Sequence, residues 1–178
     1  MTLHFENLSV DPNELPGLSD FEFKSVDPRY LKVSLISSTL FFLVLIIGAT
    51  AAIYFSEFED KFLVYLISFS SIALLLGLNV LVIILGFKKK KYALRQRDVI
   101  YTKGLIWSTR TTVPFIRIQH AELKQGPIER LFKLNSLKIF TAGGQSSDLV
   151  IPGLPEETAL NIKDFILKKT AEDGKSES

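Results

Sequence analysis

Two long runs without a charged residue constrain this chain more than any other feature. The first lies between Lys32 and Glu57, the second between Lys61 and Lys88. An α-helix rises about 1.5 Å per residue, so about twenty apolar residues cross the roughly 30 Å hydrocarbon layer of a bilayer. Both runs meet that length, with membrane spans expected at 33–55 and 62–87. The competing reading is a buried helical hairpin in a soluble protein. A chain of 178 residues leaves too little other protein to cover two such helices.

The connector Ser56-Glu57-Phe58-Glu59-Asp60-Lys61 is short and acidic, so the two helices must be antiparallel neighbours. Ser37, Ser38, Gly48, Ala49 and Ala51 on the first, and Ser68, Ser70, Ser71, Ala73 and Gly77 on the second, would let them approach closely. Asn79 is the strongly polar side chain deep in the spans. A hydrogen bond within the hairpin is expected for it, with association between hairpins as the alternative. Lys24, Arg29 and Lys32 precede the first span and Lys88-Lys89-Lys90-Lys91 follow the second. The positive-inside rule therefore predicts a multi-pass membrane protein with both termini cytoplasmic and the acidic loop outside.

Charge divides the chain. Met1 to Phe87 carries four Lys/Arg against nine Asp/Glu, and Lys88 to Ser178 carries seventeen against ten. There is no cysteine, which excludes disulfides, thiolate metal sites and a Cys nucleophile. His4 and His120 are the only histidines, so a metal centre built on several histidines is excluded within one chain, and no cofactor is expected.

Residues 1–29 read as an irregular cytoplasmic segment, broken by Pro12, Pro16-Gly17 and Pro28, with apolar residues that suit either the membrane or the C-terminal domain. The hairpin occupies 30–88. Over 89–170 the pattern changes to short strands at Tyr92–Arg95, Val99–Thr102, Leu105–Val113, Ile116–Leu123, Ser136–Thr141 and Leu149–Ile151. Ile128–Phe132 suits one helical turn. A C-terminal helix is expected with Pro155 at its first position and Ala159, Ile162, Phe165 and Ile166 facing the sheet. Residues 171–178 read as a disordered tail. About six or seven antiparallel strands capped by one helix favour closure into a small barrel, which leaves no unpaired edge.

The spans ending in a lysine cluster, then Tyr92-Ala93-Leu94, Val113-Pro114-Phe115-Ile116-Arg117-Ile118-Gln119, Gln125-Gly126-Pro127-Ile128-Glu129-Arg130 and Leu137-Lys138-Ile139-Phe140-Thr141-Ala142-Gly143 together resemble the bacterial pleckstrin-homology-like membrane proteins, the YdbS/YdbT-like group. That resemblance implies a pleckstrin-homology-like barrel with a C-terminal helix. It supplies no catalytic activity, and it implies the bacterial cytoplasmic membrane as the location.

No P-loop, dinucleotide fingerprint, zinc-helix motif or nucleophile elbow is present, and an enzyme is not expected. A triad of Ser146, His120 and Asp148 has no support in spacing, and His120 on a strand reads as structural. Candidate binding residues are the basic Lys88, Lys89, Lys90, Lys91, Arg95 and Arg97, together with Arg117 and Gln119, which interrupt an apolar run and suit a groove or a solvent face. The first functional expectation is a membrane-anchored, non-enzymatic module that binds a membrane-protein partner or another copy of itself. The alternative is recognition of anionic lipid head groups, since a basic residue near an anionic leaflet contributes about 1 kcal/mol. A subunit of a transport or envelope-stress complex is a third reading, and two spans form no pore without oligomers. Nucleic acid is not an expected partner.

Overall fold

The computed structural model describes residues 22–142 and 149–175. Its first strand, β1 (Lys24–Ser25), leads into helix α1 (Arg29–Phe55), and α2 (Lys61–Phe87) returns antiparallel to it. At about 1.5 Å per residue each 27-residue helix is roughly 40 Å long, enough to cross a bilayer with some tilt. Hardly any of their apolar surface is covered by protein: α1 buries Val33, Phe42 and Ile53, and α2 buries nothing. Lipid is the solvent in which such a surface is stable.

Polar contacts tie the hairpin together. The Ser38 hydroxyl donates to Asn79 Oδ1 at 2.6 Å, so Asn79 is bonded within the hairpin. Asp60 caps α2 by accepting from the Leu63 N–H at 3.1 Å, and Lys61 Nζ donates to the Tyr54 carbonyl at 3.1 Å. The expected role of the small residues fails at Gly48 and Gly77. A β-carbon at either would meet nothing within 4 Å, so neither makes a close helix contact.

The second helix leads into β2 (Lys91–Leu94), β3 (Asp98–Lys103) and β4 (Thr109–Pro114), then β5 (Ile118–Lys124), α3 (Pro127–Leu131), β6 (Leu134–Thr141), β7 (Leu149–Pro155) and α4 (Glu156–Lys175). The strands form two antiparallel sheets, ordered β1-β2-β3-β4 and β5-β6-β7. Both contribute to one core with α4: Val99, Tyr101 and Val113 from the first, Leu137, Ile139 and Ile151 from the second, and Ala159, Ile162 and Ile166 from the helix. Phe115, fully buried, lies at the crossing between the sheets. Its N–H donates to the Arg97 carbonyl at 2.9 Å, and its carbonyl accepts from the Thr170 hydroxyl at 3.3 Å.

Several local expectations are corrected. The N-terminal segment is not wholly irregular up to residue 29, because Lys24 pairs with Tyr92 and Ser25 with Lys91, while Val26 is in the core. The third strand starts at Thr109 rather than Leu105, because Gly104 at φ +104° turns the chain and leaves 105–108 as a loop. The run from Ile116 opens with a 3-10 turn, Phe115–Arg117, which exposes Ile116. Strict alternation in β5 breaks at Gln119, which the bulge between Ile118 and His120 leaves without a cross-strand partner. Pro155 pairs with Leu134 as the last residue of β7, and the helix begins after it. That helix runs on to Lys175 instead of stopping at Thr170. Ser146, Asp148 and the Gly143-Gly144 turn lie outside the described residues. His120 stacks on Phe140 at 4.2 Å between ring centroids.

Candidate functional site

The four lysines after α2 do not act as one cluster. Lys88, Lys89 and Lys91 are exposed, whereas Lys90 is half-buried, with its ammonium 4.8 Å from the centre of the Tyr30 ring. Burial, and then the nearby charge of Lys103, pushes the Lys90 ammonium below the usual lysine range. The lysines follow α2 without an intervening loop, so they stand where the helix leaves the apolar layer.

Arg95 and Arg97 are elsewhere. They belong to the β2–β3 turn, at the opposite end of β2 from Lys91. Four strand residues separate these ends by roughly 13 Å. The turn is built by the Arg95 N–H donating to the Asp98 carbonyl at 2.9 Å. Its side chain is committed to the half-buried to buried Asp98 carboxylate through Nε–Oδ1 at 2.6 Å and a second, Nη2–Oδ2 contact. The arginine is therefore structural as well as basic. Arg97 is exposed and offers its guanidinium to solvent.

Together with α4, the turn frames an open groove of about 990 Å³. One wall is β2 and its turn, with Leu94 and Arg97. The other is one face of α4, with Thr158, Asn161, Ile162 and Phe165, whose i, i+3 and i+4 spacing aligns them. Lys24 and Glu22 also line it. Charged lining groups number three cations (Lys24, Arg95, Arg97) and two carboxylates (Glu22, Asp98). Burial raises the Tyr92 hydroxyl above the ordinary tyrosine range.

Of the sequence candidates, Arg95 and Arg97 are thus brought together. The lysines lie at the other end of β2, and Arg117 and Gln119 are exposed outside the groove. The Arg117 carbonyl accepts from the Ala142 N–H at 3.2 Å, a role in the fold. Sequence reasoning missed Lys24, Thr158 and Asn161. The helical spacing with Ile162 and Phe165 was the available signal for the last two, and Lys24 had none. Among the described residues, no three His, Asp or Glu side chains converge as metal ligands.

The Gln125–Arg130 motif has a structural use. The Gly126 N–H donates to Glu129 Oε2 at 2.7 Å, Glu129 Oε1 accepts from the Ser136 hydroxyl at 2.9 Å, and Gln125 Nε2 donates to the Leu134 carbonyl at 3.0 Å. These bonds tie α3 to β6, and Pro127 and Ile128 share a small cleft with Tyr30, Val33 and Ser37 of α1.

A family model described as "Bacterial PH domain" matches residues 33–170. The UPF0699 transmembrane protein YdbS of Bacillus subtilis (strain 168) is 33% identical over 76 residues, 43% of this chain and 46% of that protein. The UPF0699 transmembrane protein YdbT of the same organism is 28% identical over 90 residues, 50% of this chain and 18% of that protein. The chain thus spans less than half the length of these curated relatives. A solved structure, a DUF1696 family protein with a pleckstrin-homology domain from Shewanella loihica PV-4, aligns at 19% identity and a TM-score of 0.36, covering 46% of this chain and 70% of that one.

Proposed function

The chain belongs to the bacterial PH domain family, and from that membership we propose that it is a membrane-anchored, non-enzymatic module whose groove holds a segment of a protein partner. The carrying observation is the charge balance of the groove, three cations against two carboxylates around apolar Leu94, Ile162 and Phe165. A polyphosphorylated head group calls for several unpaired cations, and one of the three is already bound to Asp98. A peptide with apolar side chains and one acidic group matches the lining better. The position favours the same reading, since the turn lies along β2 away from the lysines next to the anchor. The partner is another membrane protein or a second copy of the chain.

Among the residues singled out in the sequence, recognition of anionic head groups keeps support at Lys88, Lys89 and Lys91, which also suffice as a topology signal. The same lysines support cytoplasmic placement of the domain and of both termini.

A photoreactive amino acid at Asn161 of the full chain in intact cells tests the groove. The expected result is a covalent adduct with a protein, weakened by Arg97→Glu and by Leu94→Glu. A mass of two chains identifies self-assembly. Adducts with lipid alone, or a protein adduct indifferent to both substitutions, would overturn the reading.

A further inference from the structure

We infer that the β3–β4 loop is a second membrane contact, in which Ile106 and Trp107 sit in the interfacial layer of the bilayer that α1 and α2 cross. The inference is independent of what the groove binds. Ile106 and Trp107 are 77% and 82% exposed, side by side in the β3–β4 loop. An isolated exposed apolar residue is ordinary, but an adjacent Ile-Trp pair at a loop tip is not.

The register places this tip. Lys91, the first residue of β2 after α2, pairs with Thr102, and Lys103 pairs with Thr109. The loop between Lys103 and Thr109 therefore leaves the sheet at the end where α2 delivers the chain. The charge of Lys103 reaching Lys90 reports the same proximity. Exposed Lys88, Lys89, Lys91, Lys103 and Arg110 surround this end. No Asp or Glu occurs from Val99 to Ala121. An apolar tip flanked by these cations, in a stretch of chain free of carboxylates, is complementary to an anionic leaflet, with the indole at head-group depth and the lysines at the phosphates.

The tip is also held in shape. A β-carbon on Gly104 would fall 1.9 Å from the Trp107 carbonyl oxygen, so the loop closes tightly on glycine and presents Trp107 in a defined position. Two side chains make a patch much smaller than the roughly 1,200 Å² that specific protein interfaces bury, which favours a bilayer over a second protein as the occupant.

Trp107 is the only tryptophan, so fluorescence of the full chain reports on it alone. The chain is reconstituted into vesicles of phosphatidylcholine and phosphatidylglycerol containing lipids brominated at shallow or deep acyl positions. Expected are protection from aqueous iodide and stronger quenching by the shallow bromines, with most of that quenching lost in Ile106→Asp while circular dichroism is unchanged. Emission as open to iodide as in the unfolded chain would overturn the inference. So would protection from iodide without lipid quenching, because a protein surface then covers the indole, and so would full lipid quenching in Ile106→Asp.

Discussion

Gly153 and Tyr30 meet so closely that a β-carbon on Gly153 would lie 2.5 Å from Tyr30 Cβ. Gly153 has φ +66°, and its carbonyl accepts from the Asp27 N–H at 3.0 Å. A residue of the last strand is thereby fitted against the root of the first membrane helix. Arg29 Nη1 reinforces the joint by donating to the Phe132 carbonyl at 3.2 Å. The domain and the membrane hairpin are therefore locked together rather than strung on a linker.

Gly153→Ala should destabilise the protein by about 1–3 kcal/mol, from the left-handed backbone and the clash together. Tyr30→Ala combined with it should cost less than the sum of the single changes. Chemical unfolding in detergent of all four forms measures the coupling, and strict additivity would reject the contact.

Acid should loosen the same joint. Hydrogen bonding to the Arg29 side chain holds the Asp27 carboxyl below its ordinary value of 3.8, against an opposing effect of burial. Because the folded value lies below the unfolded one, this stabilisation is complete above about pH 3.8 and disappears as pH falls through the folded value. Asp27→Asn should be less stable than wild type at neutral pH and flatter below about pH 3.8 in thermal unfolding. Parallel curves for the two proteins would exclude this role.

The Ser38–Asn79 bond should contribute modestly, about 0.5–2 kcal/mol, as intramembrane hydrogen bonds do. Ser38→Ala and Asn79→Leu should each show the loss in unfolding measurements, and the double variant should lose little more. A large further loss in the double variant beyond either single variant would mean that the two side chains contribute independently, against a shared bond.

The two turn arginines should separate by method. Arg95→Met leaves the Asp98 carboxylate without its ion pair and should cost about 1–3 kcal/mol of stability. Arg97→Met, at an exposed side chain, should stay within about 0.5 kcal/mol and act on partner binding instead. Equal losses of stability from both would remove Arg97 as a dedicated binding residue.

The sequence alone determined the membrane hairpin, the succession of strands from Tyr92 onward and the apolar face of the last helix. Those features are periodic and local: a helix satisfies its own backbone bonds, and its polarity pattern is written along consecutive residues. Tertiary structure decided the rest. Lys24–Ser25 became a strand only because β2 was there to pair with it, and a two-residue strand has no periodicity to detect. The lysine run divided because Tyr30 lies beneath Lys90 alone. Arg97 and Asn161, which come from segments far apart in the chain, share a groove because both sheets and α4 close on one core. Register and packing between distant segments set these relations, and no residue carries them by itself.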